Sequence, residues 1–296
     1  MRPLARLGQA LREAGYAFIT PTPETHRRVL SRGGPAQTLR DVFGWSKPFA
    51  PGVLPERLLA LLQEGGALES AGGLLRSAVR FSSLGPLLCA HSAYPTTAPD
   101  SVFFGPDTYR FAAFLEARAP ARVGSVADVG CGSGAGGLLL APRAARVQLL
   151  DVNARALELA QVSCELNGLS ARVAHSDVLS AAEGPLELIV ANPPYLADDL
   201  GRAYRDGGGA LGTGLSLRIV EESLERLSPG GTLLLYTATP VIEGAHLLWP
   251  GLQPLLQRTR YRYEELDPDV FGEELDRPAY RQAERIAVVG LSAVKR

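Results

Sequence analysis

The chain has 296 residues, 46% of them hydrophobic, and a formal net charge of −1, which is material for one large domain or two modest ones. No stretch reaches the roughly 20 unbroken apolar residues of a membrane helix, and MRPLARLGQALREAG lacks the apolar core of a secretion signal, so a cytoplasmic protein is expected. Cys89, Cys131 and Cys164 are far apart with no CxxC pair, and His26, His91, His175 and His246 are isolated, which favours neither a disulfide framework nor a metal site.

The charge is uneven. Residues 1–100 carry 11 Lys+Arg against 7 Asp+Glu, and residues 101–296 carry 19 against 24. The first third is therefore the basic part, compatible with a polyanionic partner. It reads as short helical patterns broken by Pro and Gly: LARLGQALREAG, PETHRRVLSR, TLRDVFGW and LPERLLALLQEGG. LLRSAVRFSS and PLLCAHS follow as two strand-like runs joined at Leu84-Gly85-Pro86, a hairpin. Helices followed by a hairpin are the element order of a winged-helix domain. SAYPTTAPDS has no apolar period, which places a domain boundary within residues 92–101. The expected division is an N-terminal helical and hairpin domain over 1–100, for substrate recognition, and a second domain over 101–296.

Beyond residue 103 strands and helices alternate. SVADVG, RVQLLD, ARVAHS, LELIVANP and GTLLLYTAT read as strands. GGLLLA, ARALELAQVSCELNGL, LSLRIVEESLERLSPGG and EGAHLLWPGLQPLLQRT read as helices, the second stopping at Asn167-Gly168 and the third at Pro229-Gly230-Gly231. The series argues a doubly wound α/β fold with a parallel sheet. YRYEELD and RIAVVGLSAV have no helix between them and should end the sheet as antiparallel neighbours.

ADVGCGSGAGG lies between the first strand and first helix of this series, with Gly130, Gly132 and Gly134 in the turn. Glycines there let backbone N–H groups approach a ligand at a helix N-terminus. With Asp151 at the end of the next strand, the spacing also satisfies a dinucleotide fingerprint, so a nicotinamide-dependent oxidoreductase stays open on spacing alone. Three features favour a different cofactor. Asp128 precedes the glycines, where a carboxylate repels a pyrophosphate but accepts from an ammonium; Asp177-Val178 follows the third strand, where an acid can accept from an adenine amino group; and the fourth strand ends in Asn192-Pro193-Pro194-Tyr195.

DVGCGSG, LLDVN, HSDV and ANPPY, in this order over residues 125–195, resemble the class I S-adenosylmethionine-dependent methyltransferases of the NPPY, or small methyltransferase-domain, subgroup. Members modify exocyclic amines in RNA or DNA, or the glutamine side chain of peptide release factors. The resemblance covers roughly residues 103–295 and implies a Rossmann-like sheet of seven strands with the last antiparallel. It implies S-adenosyl-L-methionine as cofactor, with Gly130, Cys131, Gly132, Ser133 and Gly134 around the methionine part and Asp128 near its amino group. Asp151 would hold the ribose hydroxyls, Val152 and Asn153 would lie beside the adenosine, and Asp177 and Val178 would flank the adenine. Gly105, Asp107 and Thr108, in FFGPDTYRFAAFL, would close over the cofactor, with Phe104 as a wall.

An exocyclic amine or an amide nitrogen is a poor nucleophile because its lone pair is delocalised. Two acceptors on its N–H bonds, the Asn192 side-chain oxygen and the Pro193 carbonyl, can localise that pair. Pro193 and Pro194 stiffen the turn, and the Tyr195 ring offers a stacking face. LADDLGRAYRDGGGALGTG, residues 196–214, is expected as a flap over the substrate. GPDTY places Tyr109 where release-factor methyltransferases carry glutamate, and the basic N-terminal region favours nucleic acid, RNA above DNA. The glutamine side chain of a translation-related protein is the alternative substrate. A fold that only binds, without transferring, is a further reading. PDVFGEELDRPAY, residues 268–280, is assigned no role.

Overall fold

The computed structural model describes residues 1–197 and 205–296. The N-terminal region opens with four helices, α1 (Pro3–Glu13), α2 (Pro23–Leu30), α3 (Leu39–Phe43) and α4 (Glu56–Glu64). Thr22 caps α2 by accepting from the Thr25 N–H, and Thr38 and Asp41 form a capping box on α3. Two antiparallel hairpins follow: β1 (Leu68–Ala71) with β2 (Leu74–Ser77), and β3 (Val79–Leu84) with β4 (Leu87–Ser92). The second is the one expected from sequence. The first is new: Gly72 and Gly73, both at positive φ, make a two-residue turn with Ala71 opposite Leu74.

The remainder of the chain is α5 (Pro106–Arg118), β5 (Val123–Val129), α6 (Ala135–Leu140), β6 (Ala144–Asp151), α7 (Ala154–Asn167), β7 (Arg172–His175), β8 (Leu186–Ala191), α8 (Gly214–Arg226), β9 (Leu227–Ile242), β10 (Ala245–His246), α9 (Trp249–Leu256), β11 (Thr259–Asp267) and β12 (Arg285–Lys295). The main path of the sheet runs β11-β12-β9-β8-β5-β6-β7, with β10 pairing β9 off that path. β7, β6, β5, β8 and β9 are parallel neighbours, and β12 enters antiparallel between β9 and β11. This is the Rossmann-like sheet with a reversed last strand. Expected and observed boundaries differ in two places. α8 stops at Arg226, and Pro229-Gly230-Gly231 instead lie in a register shift where Leu186 faces Leu227 and Leu188 faces Thr232. Of the stretch 243–259, only Trp249–Leu256 is helical.

Both faces of the central strands are covered, and the period-2 alternation of β8 shows it. Leu188 and Val190 pack with Phe111, Phe114 and Leu115 of α5, whereas Ile189 and Ala191 pack with Ile219 and Val220 of α8 and Leu252 and Leu256 of α9. β5 has β6 on one side and β8 on the other, so its C-terminal end is the switch point where such sheets open a crevice. No helix among the described residues is long and apolar enough to cross a membrane.

The N-terminal region shares a core with α7 of the sheet region. Leu4, Leu7, Leu11, Phe81 and Leu88 pack with Leu159, Val162 and Leu166. The Asn167 side chain accepts from the Leu88 N–H at 3.1 Å and donates to the Leu88 carbonyl at 2.9 Å, while Arg12 donates to its oxygen at 2.6 Å. Arg2 pairs with Glu165. Leu166→Ala, which empties part of this shared core, should lower unfolding free energy by about 2–5 kcal/mol. Urea denaturation followed by tryptophan fluorescence and by far-UV dichroism should give one coincident, shifted transition; two separate midpoints would mean that the two regions unfold independently.

Candidate active site

A cleft of about 560 Å³ opens along the C-terminal ends of the parallel strands. Its floor is the β5–α6 turn. The Gly130 and Cys131 N–H groups both donate to the Leu150 carbonyl, at 2.8 and 3.1 Å, which pins the turn to β6. Gly130 has φ +67, and a β-carbon there would meet nothing within 4 Å, so this glycine leaves open space in the cleft. Gly132 and Ser133 also line it. Gly134 does not: it is the left-handed N-cap of α6. Cys131 is buried, and burial pushes its thiol well above the usual range, so it serves as a compact packing residue and not as a nucleophile.

Three acids stand at successive strand ends in different states. Asp128, the penultimate residue of β5, is 2% exposed and accepts from the Gly137 N–H at 2.7 Å. Burial, only partly offset by that bond, pushes its carboxyl up to about 7, and the nearby Asp151 adds to the rise. Asp151 accepts from the Gly132 N–H and the Asn153 N–H, each at 2.9 Å, and burial raises its pKa too. One bond to each oxygen leaves lone pairs free for two hydroxyls. Asp177 is exposed and held by Arg218 of α8 through two bonds of 2.8 Å, which lower its pKa.

Between these acids, Val152 is an apolar side chain 51% exposed on the cleft, a surface for a flat aromatic ring. Asn153 lines the cleft, but its amide is committed, the oxygen capping α7 at the Arg155 N–H and the nitrogen donating to the Asp100 carbonyl. Val178 is buried against the same wall at φ +48, an uncommon backbone state for a β-branched residue.

The opposite wall is the Asn192–Tyr195 turn after β8. All four residues line the cleft. The Asn192 side chain makes no hydrogen bond to another described residue, so its amide is available. Tyr195 differs from its expected role as an open stacking face. The ring is only 8% exposed and tilts against Phe271, with centroids 5.9 Å apart. Its hydroxyl donates to Asp107 at 2.6 Å. Asp107, 6% exposed, also accepts from Tyr236 and from Arg110, each at 3.2 Å. Burial, then the Asp107 charge, push the Tyr195 phenol well up, so it keeps its proton. Asp107 thus lines the cleft while anchoring the turn.

Thr108 also lines the cleft, whereas Gly105 is the N-cap of α5 outside it. Phe104 is turned away. It is 1% exposed and stacks on His91 at 5.0 Å, and its neighbour Phe103 lines the cleft in its place. Sequence reading missed Phe103, the stretch Tyr94–Thr97 and Phe271, all of which line the cleft. The pair Phe103-Phe104 was visible, but which ring faces inward depends on packing against β4. Tyr109 donates nothing to the cleft: its hydroxyl accepts from the Thr20 N–H at 3.0 Å, tying α5 to the N-terminal region. Residues 198–204 of the expected flap lie outside the described residues. Of the remainder, Leu196, Arg205 and Asp206 line the cleft.

A strand-end acid beside a glycine turn, two further strand-end acids, and an Asn-Pro-Pro-Tyr turn facing them define a class I, Rossmann-like methyltransferase. Residues 110–247, a little under half of the chain, match the family model described as methyltransferase small domain. The ribosomal RNA small subunit methyltransferase C of Alcanivorax borkumensis is 30% identical over 141 residues, 47% of this chain and 40% of that protein. Its counterpart in Aeromonas hydrophila is 44% identical over 85 residues, 28% of this chain and 25% of that protein. The chain thus spans less than half the length of these curated relatives. Trm5b from Pyrococcus abyssi shares the fold at a TM-score of 0.50 and 16% identity, over 82% of this chain and 72% of that one.

The donor set fits the cofactor: a glycine that leaves room, a buried acid short of a cation, and an acid with lone pairs to spare. The Asp128 carboxyl has a folded pKa of about 7, above its unfolded value of about 3.9. The stability linked to its proton is therefore complete below about pH 4 and is lost as pH rises to about 7. Asp128→Asn should accordingly raise the urea midpoint of the cofactor-free protein at pH 8 and change it little at pH 4. S-adenosylhomocysteine affinity, read by calorimetry, should fall about 10- to 100-fold, the worth of a charged hydrogen bond. Unchanged affinity would remove Asp128 from cofactor binding.

Proposed function

We propose that the protein transfers the methyl group of S-adenosylmethionine to an exocyclic amine of a base in ribosomal RNA. The observation that carries this reading is Asn192, an amide with no hydrogen-bond partner among the described residues, in a proline-stiffened turn that lines the same cleft as the strand-end acids. Gly130, Asp128 and Asp151 would hold the methionine and ribose parts, and Val152 the adenine. Bound there, the cofactor supplies a methyl group already activated by its sulfonium, so the chain's task is to prepare the acceptor nitrogen.

The Asn192 oxygen and the Pro193 carbonyl accept the amine's two N–H bonds and draw its lone pair out of conjugation. Pro193 and Pro194 carry no N–H, so these two residues bring no donor that competes for those acceptors. Asp107 fixes the turn from behind through the Tyr195 hydroxyl. Because Tyr195 stays protonated and anchored, it acts as a positioning residue and takes no proton. The target base meets Phe271 and Phe103 as the aromatic faces of the cleft.

RNA is favoured over a glutamine side chain on two grounds. The curated relatives that match part of this chain are named for small-subunit ribosomal RNA, and Tyr109 is engaged in holding the N-terminal region. The basic character of residues 1–100 points the same way. A transfer assay with tritiated donor should label small-subunit ribosomal RNA when bulk RNA, DNA and a release factor are offered side by side. Label confined to the release factor would overturn the substrate. Asn192→Ala should leave S-adenosylhomocysteine binding within about twofold and reduce transfer by about 10²–10³, the effect of losing one contact made in the transition state. Parallel loss of both would mean that the amide holds the cofactor.

A further inference from the structure

The N-terminal half buries a cation that has the Phe18 ring 5.5 Å away but no anion among the described residues. Arg80, on β3, is 3% exposed, and its Nε has no hydrogen-bond partner. Among the described residues no carboxylate pairs with it; the ionisable groups that act on it are the Tyr16 and Tyr109 phenols. Its Nη2 donates to the Thr20 hydroxyl at 3.3 Å. Thr20 and Ser82 hydroxyls are 2.5 Å apart, Ser82 is 2.7 Å from His91 Nε2, and His91 Nδ1 is 3.1 Å from the Ser92 carbonyl.

A carbonyl only accepts, so Nδ1 carries the His91 proton and Nε2 accepts from Ser82, which in turn accepts from Thr20. The network passes hydrogen bonds away from Arg80 and offers it no negative charge. His26, 1% exposed, has an unpartnered Nδ1, and burial together with Arg80 holds its pKa down to about 4. Every titratable neighbour is therefore neutral near pH 7. A buried, unpaired charge is costly, and buried arginines are ordinarily paired.

The guanidinium is not sealed in. A cavity of about 10 Å³, room for one water-sized group, is lined by Arg80, Thr20, His26 and His91 and shares the lining residues Pro23, Tyr94, Thr96 and Phe103 with the main cleft. We propose that Arg80 binds one non-bridging oxygen of a backbone phosphate in the nucleic-acid substrate, with the phosphorus at the mouth shared with the cleft. This rests on the RNA reading above. Guanidinium donors match phosphate oxygens, and one oxygen is what the cavity admits. The phosphate would lie on the N-terminal side of the cleft while the target base reaches Asn192.

Inorganic phosphate, titrated at constant ionic strength, is the probe. In the wild-type chain it should raise the melting temperature and shift the ring signals of His26 and His91 ahead of those of His175 and His246 in ¹H–¹⁵N spectra. Arg80→Met should abolish the thermal response and melt no lower than wild type in phosphate-free buffer; Arg80→Lys should retain part of the response. With RNA, Arg80→Met should raise KM about tenfold or more while leaving S-adenosylhomocysteine affinity unchanged. Equal thermal gains in wild type and Arg80→Met, or His26 and His91 signals unmoved by phosphate, would overturn the site, the second result being readable even if the variant does not fold. Phosphate binding through Arg80 without methylation of any RNA would uphold the anion site and sink the substrate assignment.

Discussion

The bond from the Tyr195 hydroxyl to Asp107, 2.6 Å long, is the constraint on which the site depends. It joins the turn after β8 to the first turn of α5, 88 positions earlier in the chain. Asp107 also takes Tyr236 from the middle of β9, so one buried carboxylate holds a helix, a central strand and the Asn-Pro-Pro-Tyr turn in fixed relation. A buried acid is tolerated there because three donors, one of them the Arg110 guanidinium, satisfy it. Asn192 itself has no side-chain partner among the described residues, which is what allows it to meet one. Rigidity around a free polar group is how a site orients a substrate without spending its own hydrogen bonds in the resting state.

The glycine-rich stretch after the turn serves the same end. Gly212 has φ +85, and a β-carbon there would collide with the Tyr195 carbonyl; one at Gly207 would strike the Gly212 carbonyl and come within 2.7 Å of the Pro194 carbonyl. The backbone of 207–214 thus lies directly on the Asn-Pro-Pro-Tyr turn, an approach that side chains would forbid. Segment 268–280, unexplained by its sequence, supports the turn from another direction. Tyr280 receives the Ala197 N–H at 2.8 Å, the buried Glu274 pairs with Arg205 and Arg277, and Phe271 tilts against Tyr195. An insertion too long for a hairpin is what brings a third aromatic side to the cleft.

The alternation of strands and helices and the strand-end acids were legible in the sequence because both are local. Hydrophobic period distinguishes strand from helix, and the motif residues sit within a few positions of the strands that carry them. What joins distant segments was not legible. Nothing near Asp107 in the sequence marks it as the acceptor of Tyr195, and nothing near Asp177 tells of Arg218, 41 positions on. Phe104 and Phe103 are equivalent in composition and opposite in direction, a distinction made by packing on His91. The first hairpin escaped because LLRSAVRFSS was taken as a single run and Gly72-Gly73 before it was given no role, although two glycines between short apolar runs are a turn signal.

The residues flanking the cleft carry charge in an unbalanced form: an acid on the cofactor side whose carboxyl is pushed up to about 7, and on the N-terminal side a guanidinium with no carboxylate partner among the described residues. Each is a burden on the ligand-free fold, and a complementary ligand would relieve it: an ammonium beside Asp128, a phosphate oxygen beside Arg80. Binding free energy is then partly the recovery of a penalty that folding incurred. The shared core between α1, β4 and α7 makes that penalty sustainable, because Val79 and Phe81, the neighbours of Arg80 on β3, pack in one cluster with Ala156 and Leu159 of α7, the helix that Asn153 caps. A recognition element attached through a flexible linker could not hold a desolvated charge beside the cleft; one built into the same core can.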